Sequence, residues 1–122
     1  MKFTMTRKHR YWWPVKVAVP NPELDKAGEW LEMNFRMRFA ALPREEADAI
    51  SEKLKKSEGA DIHADLMRVV KDWDEDIIDA DGKPIPFSPE AFAELLQISW
   101  YRMAVYRAWG DSLIGEAARR GN

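Results

Sequence analysis

The stretch that decides the fold is Trp30-Leu31-Glu32-Met33-Asn34-Phe35-Arg36-Met37-Arg38-Phe39. Leu31, Met33, Phe35, Met37 and Phe39 alternate with Glu32, Asn34, Arg36 and Arg38. A period of two places each set on one side of an extended strand. A partner strand lies just upstream, where Val15, Val17 and Val19 alternate with Lys16 and Ala18 before Pro20 ends the run. The intervening stretch from Asn21-Pro22 to Gly28 carries turn residues, so the two runs read as an antiparallel hairpin. A hairpin alone is marginal in water, so helices are expected to cover its apolar face.

Downstream, the period changes from two to that of a helix. Leu42-Pro43-Arg44-Glu45-Glu46 opens a helix, with Pro in the first turn and acids where the dipole favours them. Ala47, Ile50 and Leu54 continue it, and Gly59 is expected to stop it. A second helix is predicted from about Asp61, its cap, to Trp73, with Ile62, Leu66, Val69, Val70 and Trp73 on one stripe. Asp79-Ala80-Asp81-Gly82-Lys83-Pro84 is a turn. Ser88-Pro89-Glu90 then combines a cap, a first-turn Pro and a favourable acid. It opens a helix reaching about Trp109, with Phe92, Leu95, Leu96, Ser99, Met103 and Tyr106 on one side. Gly110 is expected to interrupt it before a short piece through Leu113 and Ile114. The expected architecture is α+β: an N-terminal antiparallel β-hairpin followed by a small, mainly α-helical bundle. It forms a single domain over 1–122, with a basic leader at 1–11 and a frayed tail at 117–122.

Composition narrows the chemistry. The chain has 122 residues, no Cys and six Trp, which removes disulfides and thiolate chemistry together. Its net charge of -2 conceals a basic start (Lys2, Arg7, Lys8, Arg10, Lys16) and an acidic run (Asp72, Asp74, Glu75, Asp76, Asp79, Asp81). Such asymmetry can steer a partner or another copy of the chain. The basic start lacks the apolar region of a signal peptide, and no run approaches the roughly 20 apolar residues of a spanning helix.

Neither catalytic residues nor a cofactor or metal site is expected. The acidic run resembles part of an EF-hand loop, but Gly82 is misplaced and Pro84 and Pro86 fall where ligands belong. His9 and His63 have no cysteine to join them, and no serine sits in a nucleophile elbow. Basic and aromatic residues do mix: Arg7, Lys8 and Arg10 precede Tyr11, Trp12 and Trp13, while Arg36 and Arg38 interleave with Phe35 and Phe39. Single-strand nucleic-acid binders use that mixture. Here the alternation separates Phe35 and Phe39 from Arg36 and Arg38, so a core-facing aromatic row beside an exposed cationic row is the preferred reading.

Taken in order, several pieces resemble the tail assembly chaperones of long-tailed bacteriophages, the lambda-like minor tail protein G family. They are Trp13-Pro14-Val15-Lys16-Val17, Phe35-Arg36-Met37-Arg38-Phe39, Leu42-Pro43-Arg44-Glu45-Glu46, Val69-Val70-Lys71-Asp72-Trp73-Asp74 and Asp81-Gly82-Lys83-Pro84-Ile85-Pro86-Phe87-Ser88. Glu90 and Leu95-Leu96 follow, and the resemblance spans roughly residues 12 to 107. It implies a non-enzymatic factor that binds the tape measure protein as an oligomer in the bacterial host cytoplasm and is absent from the mature virion. It also implies a longer, frameshifted form that recruits the tail tube protein, with a junction near Ala118 to Asn122. The candidate partner-binding residues are Tyr11, Trp12, Trp13, Trp30, Arg36 and Arg38. A membrane role is not expected, and a single-stranded nucleic-acid module is the alternative.

Overall fold

The computed structural model describes residue 2, residues 8–55 and residues 59–113. The expected hairpin forms. Strand β1 (Arg10–Pro20) pairs antiparallel with β2 (Trp30–Ala40) in unbroken register, Val15 opposite Phe35 and Val19 opposite Leu31. Its loop is tied by Asn21 N–H donating to the Glu29 carbonyl, and the Asn21 side chain accepts from Glu23 N–H. At the hairpin's other end, Ala41 N–H donates to the His9 carbonyl. These bonds place odd-numbered β1 residues in the hydrogen-bonded pairs, so even-numbered ones turn their backbone groups to the free edge. Pro14 and Pro20 occupy even positions, where a missing N–H costs no ladder bond.

Two helices follow, α1 (Arg44–Lys55) and α2 (Gly59–Val69). Gly59, expected to stop the first, begins the second instead. The backbone is therefore helical before Asp61, and the proposed cap side chain lies outside the described residues, as do those of Leu54 and Ile62. The second helix also ends early. Val70–Trp73 forms β3, antiparallel to β2, with Phe39 opposite Val70 and Met37 opposite Trp73. A register shift inserts Lys71 as a bulge. Helical spacing and this bulged strand bury much the same residues, Val70 and Trp73; the open edge of β2 selects the strand.

A tight turn returns the chain toward the core. Asp79 N–H donates to the Lys83 carbonyl, Ile85 N–H to the Ile77 carbonyl, and Gly82 takes the left-handed φ of 80° that the turn requires. Helix α3 (Pro89–Leu96) then starts as predicted, with the Ser88 hydroxyl accepting the Ala91 N–H at 3.0 Å. The single long helix expected here breaks at Gln97–Ile98, and α4 runs from Ser99 through Ser112. Arg102 satisfies the break by donating to the Leu96 carbonyl. The redirected α4 buries Ala104, Val105, Ala108 and Trp109, leaving Trp100 and Met103 outside the core. Gly110 stays inside α4 rather than interrupting it. Ile114 and the tail at 117–122 lie outside the described residues, as does most of the basic leader.

The order β1-β2-β3 makes β2 the central strand. Its inner residues Phe35, Met37 and Phe39 join Val15, Val17, Val69, Trp73, Phe92 and Leu96 in one core. Trp73 is pinned there by its indole N–H, which donates to the Ile85 carbonyl at 2.7 Å, and by edge contact with Phe87. Burial pushes the Tyr106 phenol above its ordinary pKa, so this ring is neutral at physiological pH.

Two stability predictions follow from this packing. Trp73→Phe removes the indole donor and strands the Ile85 carbonyl, so urea denaturation should show a loss of about 2 kcal/mol. The exposed Trp100→Phe should stay within about 0.5 kcal/mol. The second concerns Asp74, whose carboxylate accepts from the Arg36 guanidinium at 2.9 Å, from Arg36 N–H and from Asp76 N–H. Asp74→Ala should cost about 2 kcal/mol, whereas Arg36→Ala, which leaves both backbone donors bonded, should cost below about 1 kcal/mol.

Candidate functional site

The candidate residues divide between the two faces of the hairpin. Tyr11 and Trp13 fall on the inner face, opposite Phe39 and Met37, and pack half-buried against the core. Tyr11 also ties β1 to the end of α4. The Ser112 hydroxyl donates to the Trp109 carbonyl, so at 2.7 Å the Tyr11 phenol donates to Ser112. These two aromatics hold the hairpin to its last helix.

Trp12, Trp30, Arg36 and Arg38 fall on the outer face. There Trp12 stands directly opposite Arg38, Pro14 opposite Arg36, Lys16 opposite Asn34 and Pro20 opposite Trp30. These are non-hydrogen-bonded pairs, the class with the closer side chains. Phe35 and Phe39 are buried on the other side, as the alternation predicts. Arg38 is half-buried in the row, and its Nε is shielded from solvent without a hydrogen-bond partner. Asp72 of β3 lies opposite Arg38, and Asp74 holds Arg36. The outer face is therefore mixed in charge, and among the described residues its Arg10, Lys16 and Arg38 form no ion pair.

A second surface was not legible in the alternation. Leu31 and Met33 share the inner face with Phe35, yet are 38% and 40% exposed. The expectation that helices cover that whole face is thus corrected. Strands of 11 residues span about 36 Å, while α4 of 14 residues reaches about 21 Å and α3 of 8 about 12 Å. The hairpin outruns the helices that pack on it. Leu24 and Trp30 add exposed apolar area at the same end.

Grooves run between β1 and α4. One, of about 340 Å³, is bordered by Lys16, Trp30, Trp100, Met103 and Arg107, with Ala104 helping to form its floor. Trp100 is therefore a surface residue, whereas Trp109 is buried. The acidic run is put to structural use in part: Asp74 binds Arg36, and Asp79 accepts from Asp81 and Lys83 N–H groups within its own turn. Among the described residues no group of acids and histidines is arranged to hold a metal ion. No helix there is long and apolar enough to cross a membrane.

No protein-family model, curated protein or solved structure matches the chain.

Proposed function

We propose that this chain is a non-enzymatic assembly chaperone that binds the tape measure protein during phage tail morphogenesis. It would act as an oligomer in the host cytoplasm and be left out of the mature virion. The reading draws its client from the motif resemblance over residues 12 to 107. The observation that carries it is the apolar end of the hairpin, where Leu24, Trp30, Leu31 and Met33 are exposed although the core beside them is complete. Contiguous apolar surface of this kind marks an interaction site. An aggregation-prone helical client presents the complementary property, apolar stripes awaiting partners. Recruitment of the tail tube protein belongs to the longer form, whose junction near Ala118 to Asn122 is outside the described residues.

Co-expression with the tape measure protein tests the reading. The wild-type chain should hold the client in the soluble fraction. Leu31→Lys with Met33→Lys should weaken capture about tenfold or more, about 1.4 kcal/mol, while leaving the melting temperature near wild type. A client equally insoluble with and without the wild-type chain would sink the proposal.

A second reading, a single-stranded nucleic-acid module, is favoured by one observation: Trp12 is exposed directly opposite Arg38 on a face that also carries Arg10 and Lys16. Rings for stacking and cations for phosphates then share a surface. Titration with a thymidine oligonucleotide should quench tryptophan fluorescence, and affinity should fall steeply between about 50 and 200 mM salt. Trp12→Ala should remove most of the quench. The absence of any quench at low salt rules this reading out.

A further inference from the structure

Two further surface features match one another. The first is the groove between β1 and α4, where Lys16 and Arg107 lie beside Trp30, Trp100 and Met103. Among the described residues neither cation is in an ion pair; the one carboxylate close by, Asp111, lines the adjoining groove of about 460 Å³ that shares Lys16 and Arg107, leaving the pair of grooves net positive. The second is the turn that follows β3. It projects Ile78, 53% exposed, between Asp76 and Asp79, with Glu75 and Asp81 exposed nearby. Lys83 is the one opposing charge on this finger.

The finger is preformed. Ile85 N–H donates to the Ile77 carbonyl at 2.8 Å, and Gly82 N–H to the Asp79 carbonyl at 3.0 Å. The Asp79 carboxylate fixes two further N–H groups of the turn. A partner meeting it would therefore lose little conformational entropy on ordering it. An exposed aliphatic side chain flanked by carboxylates complements a groove of aromatic walls flanked by cations.

Their placement decides the kind of contact. β1 borders the groove at one edge of the sheet, and the finger follows β3 at the opposite edge. A copy that inserts its finger into a neighbour still offers its own groove on the other side. Such a contact is heterologous and propagates instead of closing about a two-fold axis.

We infer that this chain assembles head to tail, the Ile78 finger of one copy seated in the Lys16/Arg107 groove of the next. Charge complementarity sets the register, and Ile78 against Trp100 and Met103 supplies the apolar contact. The interface is small, so assembly is concentration-dependent and weakened by salt. Leu31 and Met33 lie on the other face of the sheet and stay open in the assembly. Trp30 borders both the groove and the apolar hairpin end, but the contact needs no client to form.

Sedimentation of the full chain tests this, over about 10 μM to 1 mM protein at about 50 and 500 mM salt. Wild type should exceed dimer mass at low salt, with apparent affinity at least about tenfold lower at high salt. A groove variant, Lys16→Glu with Arg107→Glu, and a finger variant, Asp76→Lys with Ile78→Ser, should each remain monomeric. All four positions are exposed, and circular dichroism checks that both variants are folded. Mixed in equal amounts, the two variants retain one intact finger and one intact groove between them, so they should form a dimer and nothing larger. A wild-type chain that stays monomeric, or stops at a dimer, at the highest concentration and low salt overturns the inference. So does a folded single variant that still assembles, or a mixture of folded variants that stays monomeric. The wild-type concentration and salt series decides the matter should a variant fail to fold.

Discussion

The central position of β2 is the constraint on which the rest depends. Met37 sits between Trp13 of β1 and Trp73 of β3, and all three side chains face the helices. β2 is paired with β1 along its whole length and with β3 from Met37 to Phe39. That pairing is what recruits Val70–Trp73 out of a helix and into the sheet. Once β3 is in place, Trp73 can reach the Ile85 carbonyl, which draws the acidic turn back over the core and positions Ser88 to begin α3. One cross-strand row thus organises most of the later chain.

The same hairpin explains the available surface. Its arms are longer than the helices that pack on them, so the core closes around Phe35, Met37 and Phe39 and stops before Met33 and Leu31. Exposure there is a matter of length, since the residues themselves are as apolar as those that are covered. At the β1 edge, α4 presents Ala104 and Ala108, whose small side chains leave room beside the strand. Lys16 and Arg107 stand at that space with the Asp111 carboxylate as their nearest counter-charge, though neither forms an ion pair among the described residues. Apolar surface at one end, a groove carrying Lys16 and Arg107 at one edge and an acidic finger at the other are what the fold leaves exposed.

The hairpin was legible because a period of two admits one backbone solution when one face must be buried. The cap at Ser88 was legible because Ser, Pro and Glu each favour the same helix start. Trp73 was misplaced for a definable reason: Leu66, Val69, Val70 and Trp73 fit a helical stripe, and the edge that captures Val70 and Trp73 belongs to residues 37 to 39. Met103 was placed on one stripe with Phe92 and Leu96, but the break at Gln97–Ile98 turns α4 relative to α3 and leaves it exposed, and no Pro or Gly marks that break. Of the candidate site, the outward direction of Trp12, Trp30, Arg36 and Arg38 followed from alternation, whereas the roles of Tyr11 and Trp13 depended on α4 arriving beside β1.

By itself the sequence determined the hairpin, its register-bearing alternation, the helical character of most of the remainder and the division of charge, all properties of neighbours along the chain. Tertiary structure alone decided which apolar residues go uncovered and which charges meet. Asp74 is satisfied by Arg36, while Lys16 and Arg107 are brought together from distant segments. Burial and pairing depend on the lengths and directions of elements packed against one another, and local periodicity carries neither.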